Sequence, residues 1–137
     1  MKKKVIDYIL DTYGVEADFP FAAAPENAIF RNQRNRKWFA ALLGNLPRRC
    51  LGLAGSETAD VLNLKCDPIM TYSLIDNQKI FRAYHMNKEH WISVLLDSPI
   101  TEDEFFFLVD LSYRLVDQAS KPAAAPTSDP PFDKTAS

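Results

Sequence analysis

The sequence predicts an α+β two-layer sandwich, an antiparallel sheet with helices on one face, in the order α-β3-α-β2-α. Three observations predict it. Apolar residues recur at helical spacing at both ends of the chain, β-branched and aromatic runs broken by short polar stretches fill the middle, and strands do not alternate with helices as they do in parallel folds. With 137 residues, 47% hydrophobic and 25% charged, the chain has the size and composition of one globular domain that buries its core without staples.

Val5, Ile6, Ile9, Leu10 and Tyr13 form the stripe of an opening helix, and Gly14 supplies its left-handed stop. Pro20 and Pro25 frame an irregular link. Asn27 to Asn32 and Lys37 to Leu43 then read as a hairpin across Gln33-Arg34-Asn35-Arg36. Gly44, Pro47, Gly52 and Gly55 break up the next stretch, so Arg48 to Leu53 reads as a short extra strand or a loop. In the strand Val61 to Cys66, Leu62, Leu64 and Cys66 alternate with Val61, Asn63 and Lys65, and Asp67-Pro68 caps a short helix reaching about Ile75. Lys79 to Met86 and His90 to Leu96 form a second hairpin with the polar tip Asn87-Lys88-Glu89. Thr101 and Glu104 have capping-box spacing, and Phe105, Leu108, Val109, Ser112, Tyr113 and Val116 make one face of a closing helix. The domain is thus expected over residues 1–118. Residues 119–137, with four prolines and five alanines, are expected to form a flexible tail, because their composition cannot offset the entropy of ordering them.

The opening Met-Lys-Lys-Lys-Val lacks the apolar core of a signal peptide, and no apolar run approaches the roughly 20 residues that span a bilayer. Cys50 and Cys66 do not form a CxxC pair. The expectation is a cytoplasmic monomer with reduced thiols and no membrane contact. A formal charge of −2 supplies no global positive field, so contact with phosphates requires a local patch.

Both histidines, one of the two cysteines and one of the two tryptophans fall within Asn63-Leu64-Lys65-Cys66-Asp67-Pro68 and Tyr84-His85-Met86-Asn87-Lys88-Glu89-His90-Trp91. A two-residue turn at Asn87-Lys88 would set His85 opposite His90, within reach of one metal ion, with Cys66 or Asp67 as further ligand candidates. A thiolate at Cys66 activated by a histidine is the nucleophilic alternative, against which Cys66 on the Leu62–Leu64 face reads as a small buried apolar residue. Gly-rich phosphate loops, GxSxG, HExxH and EF-hand patterns are missing from the sequence. The expectation is therefore a protein that is not an enzyme, with no catalytic residue, no metal and no cofactor.

Asn27 to Ser56 contains Arg31, Arg34, Arg36, Lys37, Arg48 and Arg49 and no acidic residue. Candidate nucleic-acid contacts are Arg34, Arg36, Lys37, Lys65, Arg82, Asn87 and Lys88, with Trp38, Tyr84, His85 and Trp91 as stacking groups beside them. Asn63, Asp67, His85, His90 and Trp91 are candidates for a recognition surface. The alternative reading makes the arginines solvated edge protection and the tryptophans core.

Lys37-Trp38-Phe39-Ala40, Leu62 to Pro68, Tyr84 to Trp91 and Ser112-Tyr113, in this order, resemble the MmcQ/YjbR family of small bacterial proteins over roughly residues 1–118. The resemblance implies an α-β3-α-β2-α domain similar to the secretion-chaperone-like fold, and DNA binding through a double-wing arrangement. By matching motif it singles out Lys37, Trp38, Asn63, Lys65, Asp67, His85, Asn87, Lys88, His90 and Trp91, with no catalytic role for any of them. Residues 44–59 look longer than the family's strand connection, and the tail lies outside the pattern. Two partners are expected in competition: DNA on a basic hairpin surface, or a protein captured by exposed sheet strands.

Overall fold

The structure, a computed structural model, describes residues 2–118, so the expectation of a flexible tail at 119–137 lies outside the described residues. The elements are α1 (Lys2–Tyr13), β1 (Ala28–Arg31), β2 (Trp38–Pro47), β3 (Thr58–Lys65), α2 (Pro68–Leu74), β4 (Ile80–Arg82), β5 (Trp91–Leu95) and α3 (Glu102–Asp117). The strands form one antiparallel sheet in the order β1-β2-β3-β5-β4. This is the α-β3-α-β2-α architecture that the sequence predicts.

Strand alternation sends Phe30, Leu42, Leu62, Leu64, Ile92 and Val94 to one face of the sheet, where Val5 and Ile9 of α1 and Phe105, Leu108, Val109 and Val116 of α3 cover them. Each such side chain contributes about 1.5–3 kcal/mol when fully buried. Trp38, Val61, Phe81, Trp91 and Leu95 point to the other face. There Phe21, Cys50, Leu51, Leu53, Tyr84 and Met86 from the connecting segments pack over them. Loops rather than helices bury the second face, and β1 and β4 are the edge strands of the sheet.

The helix signals act as read. Gly14 has φ +70° and its N–H closes α1 on the Leu10 carbonyl, the Asp67 carboxylate accepts the Ile69 N–H at the start of α2, and Thr101 and Glu104 form the capping box of α3. Leu10, expected on the buried stripe of α1, is exposed. Arg48–Leu51 is a single 3-10 turn ended by Gly52 at φ +77°, so the segment is neither a strand nor an irregular loop. Strand β2 runs on to Pro47 because a bulge at Gly44-Asn45, with Asn45 at φ +56°, keeps Leu43 and Leu46 on the same face.

The second hairpin is shorter than expected. Pairing runs only from Ile80↔Val94 to Arg82↔Ile92, and continuing that register would set His85 against Glu89. The imidazoles of His85 and His90 are therefore not cross-strand neighbours. The arms part because side chains take over the backbone bonds: Tyr84 N–H donates to Ser93 Oγ (3.0 Å), and the Tyr84 carbonyl accepts from Asn63 Nδ2 (2.9 Å). His85 then turns left-handed at φ +67°.

Candidate functional site

Strands β2 and β3 pair as far as Ala40↔Leu64. In a continuing antiparallel ladder the next bond would run from the Lys65 N–H to the Phe39 carbonyl. Ser112 of α3 stands in its place: Lys65 N–H donates to Ser112 Oγ (2.9 Å), whose hydroxyl donates to the Phe39 carbonyl (2.5 Å). The relay satisfies both backbone groups while holding the strand ends apart. At the opening lies a cleft of about 380 Å³ whose lining includes Lys37, Trp38, Lys65, Asp67, His90 and Trp91.

Lys37 is held from below. Asn35 Oδ1 accepts the Lys37 N–H (3.0 Å), Asn35 Nδ2 donates to the Val116 carbonyl (2.8 Å), and Asn32 Nδ2 donates to Asp117 (2.9 Å), so the first hairpin tip is fastened to the end of α3. Lys65 Nζ lies 5.4 Å from the centroid of the Trp91 ring. Burial pushes the Lys65 pKa below the ordinary lysine value, and the charge of Lys37 pushes it further the same way. Among the described residues no carboxylate comes within ion-pair distance of Lys37 or Lys65, whereas Arg34, Arg48 and Lys79 pair with Asp117, Asp97 and Glu104. Asp67 lines the cleft with one oxygen committed to the Ile69 N–H (2.9 Å). Burial pushes the Cys66 thiol up, away from the thiolate a nucleophile requires. Among the described residues, His, Cys, Asp and Glu do not gather in a group of three or more that could hold a metal ion.

The other expected site residues disperse. Arg34 donates to the carbonyl and carboxylate of Asp117, capping α3, and Arg36 lines a separate hollow with Gly14 and Asp18. Arg82 and Lys88 lie beside Tyr84 and Cys50 at a third place, where the Tyr84 pKa is pushed up to about 12 by its hydrogen bond to Cys50 and by burial. Lys88 Nζ folds back onto the Ala83 carbonyl (2.8 Å), and Asn87 Oδ1 accepts the Glu89 N–H (2.8 Å). The His85 ring contacts Tyr84, 3.7 Å between centroids. Asn63, expected on a recognition surface, is wholly buried and is corrected to an interior position, while Trp91 is 2% exposed and lines the cleft beside Lys65. Asn63 accepts from Ser93 Oγ (2.5 Å) while donating to Tyr84, so its amide is used at both ends to hold the loop. Sequence reasoning did not pick out the wedge role of Ser112 or the tethers Asn32 and Asn35. The available signal was three hydrogen-bonding residues at sites where an apolar helix face and a glycine turn were the simpler choices.

These features define a small α+β domain with a lysine-lined cleft at the splayed end of an antiparallel sheet. The chain belongs to the YjbR family, whose model matches residues 10–115. It is 35% identical over 114 residues to the uncharacterized protein YyaQ of Bacillus subtilis (strain 168), covering 83% of this chain and 96% of that one. A crystal structure of a Pseudomonas syringae protein superposes with a TM-score of 0.81 at 38% identity, covering 85% of this chain and 98% of the other. Deinococcus radiodurans protein DR2400, described as a DUF419 domain, shares the fold with a TM-score of 0.62 at 24% identity, covering 87% and 83% of the two chains. Among the described residues no helix is long and apolar enough to cross a membrane.

Proposed function

We propose that this protein is a non-enzymatic, cytoplasmic binding protein that takes a phosphate-bearing ligand, nucleic acid first among them, between Lys37 and Lys65. One observation carries the reading: two half-buried ammonium groups converge in a cleft where, among the described residues, no carboxylate pairs with either. An oxyanion between them would relieve their repulsion. The dispersal of Arg34, Arg36, Arg82 and Lys88 argues for an exposed phosphate of a single strand or strand end rather than a tracked duplex. With one or two phosphates neutralised by Lys37 and Lys65, log K against log salt for a single-stranded oligonucleotide should fall with a slope of about −0.7 to −1.4. Lys37→Ala and Lys65→Ala should each weaken binding and flatten that slope. Absence of binding to oligonucleotide and to inorganic phosphate alike at low salt would sink the proposal, and binding of inorganic phosphate without oligonucleotide would remove nucleic acid from it.

A protein partner is the second reading, favoured by Ile69 and Tyr72 on the outer side of α2, 88% and 61% exposed. An affinity pull-down with and without nuclease separates the two. Partners lost with nuclease speak for nucleic acid, and partners that persist and depend on Tyr72 speak for a protein.

A further inference from the structure

We infer that the lysine cleft continues into an apolar compartment, and that the ligand is a phosphomonoester amphiphile with a dianionic head and a medium-length apolar chain. The inference rests on the phosphate-binding reading above and adds what lies beyond the phosphate. Between α2 and α3 a hollow of about 230 Å³ is walled by Met70, Leu74, Ile92, Leu108, Leu111 and Leu115. It shares Lys65, Cys66, Asp67 and Leu115 with the lysine cleft, so one molecule can occupy both.

The two compartments differ in chemistry. Ile92 and Leu108 form a buried floor, and Met70, Leu74, Leu111 and Leu115 are half-buried walls, leaving apolar surface that a chain would take from water. At the junction the Cys66 thiol is held neutral by burial, and Asp67 has one oxygen bound to the backbone. Arg114 and Gln118 add a polar part to the lining, and the volume of the hollow sets a limit on chain length. Two ammonium groups attract a phosphate dianion more strongly than a monoanionic carboxylate, although the Asp67 carboxylate in the same lining offsets part of their charge. A nucleic-acid strand presents no chain that would fill a leucine-walled hollow.

The test uses the full 137-residue chain and n-alkyl phosphates from ethyl to decyl below their micelle concentrations. Binding is read by calorimetry and by tryptophan fluorescence, since Trp38 and Trp91 line the cleft. Inorganic phosphate is the head-only probe, and alkyl carboxylates of equal length are the monoanionic probe. Affinity should rise about fourfold per methylene, equivalent to about 0.8 kcal/mol for each one buried, and then level off when the hollow is full. Leu111→Glu, or Leu74→Gln if the first does not fold, should abolish the chain-length dependence and leave inorganic phosphate binding unchanged, because neither residue lines the lysine cleft. Lys65→Met should weaken every phosphate probe. Inorganic phosphate binding without any chain-length effect would overturn the inference and leave the phosphate reading standing. Failure of inorganic phosphate, alkyl phosphates and oligonucleotide alike would overturn both. Equal affinity for carboxylates and phosphates would overturn the dianionic head. Chain dependence that emerges only after removal of residues 119–137 would give the hollow to the chain's own C-terminal segment. Dimerisation abolished by Leu111→Glu, with no chain-length effect, would give it to a second copy. Either of these last two results also overturns the inference.

Discussion

Ser112→Ala tests whether one hydroxyl both closes the sheet's bookkeeping and opens the cleft. The side chain is fully buried and relays the Lys65 N–H to the Phe39 carbonyl. Without it, two backbone groups face a void the size of one oxygen atom, and each unsatisfied buried group costs about 1–3 kcal/mol. The expected loss is about 2–4 kcal/mol, a fall in melting temperature of about 10 °C for a domain of this size. Urea titration followed by circular dichroism gives the free energy, with exposed Ser73→Ala as a control expected to stay within about 0.5 kcal/mol. The strands can also relax together and restore the direct bond. In that case stability recovers but the cleft narrows and affinity for inorganic phosphate drops. A variant that matches the wild type within about 0.5 kcal/mol and binds phosphate equally well would refute the wedge.

Asn63→Ala should cost about 1–3 kcal/mol, because the Tyr84 carbonyl and the Ser93 hydroxyl lose their shared partner; a urea midpoint equal to wild type would mean that the loop is held some other way. Trp91→Ala should cost about 3–5 kcal/mol and Lys88→Ala less than about 0.5, and comparable melting of the two variants would contradict the contrast between a buried ring and a turn lysine. The folded-state pKa of Lys65 lies below its ordinary value of 10.5, so between the two the unfolded chain binds more protons and stability rises with pH. Relative to Lys65→Met, the wild type should therefore gain stability from the depressed folded value up to about 10.5, and parallel stability curves for the two proteins would rule this out. Phosphate binding favours the charged amine, so it should take up protons in the same window, measurable as a dependence of calorimetric heat on the buffer's ionisation enthalpy.

Element type and order were legible because local signals agreed with global demands. The Thr101–Glu104 box, the Asp67 cap and the Gly14 stop each act within one helical turn, so no tertiary context can displace them. The second hairpin was misread where tertiary bonds compete with the ladder: alternation and β-propensity continue through Met86, but Asn63 and Ser93 from neighbouring strands capture the Tyr84 backbone. A shift of one residue in register then separates the two histidines, as the period of two requires. The cleft was half legible. Lys37, Lys65, Asp67 and His90 were singled out and do share it, but from regions of the chain whose convergence only the sheet order reveals. Arg34 shows the converse error, since a charge run in sequence carries no mark of which cations the fold will pair internally.

The arrangement of the lysines sets the energetic argument for a ligand. Lys65 lies next to the leucine-walled hollow, and exchanging a half-buried ammonium for an apolar side chain of similar length would remove both its desolvation and its repulsion from Lys37. Contact with the Trp91 face returns about 0.5–2 kcal/mol, which offsets part of that cost but is also available to a lysine in a less crowded place. Elsewhere the fold pairs its cations readily, as Lys4 does with Glu102 across two helices. The Ser112 relay adds a second unfavourable choice for stability alone, because a direct strand-to-strand bond would close the sheet with fewer parts. Both choices become favourable together if an anion occupies the opening: the splayed strands give it access, and the two ammonium groups supply charge that no carboxylate among the described residues pairs with. Lys65→Met should accordingly raise stability in the absence of phosphate, and saturating phosphate should narrow or reverse that difference by stabilising the wild type alone. A Lys65→Met protein that is less stable than wild type without phosphate, at pH 7 by urea titration, would show that the lysine is there for the fold and not for a ligand.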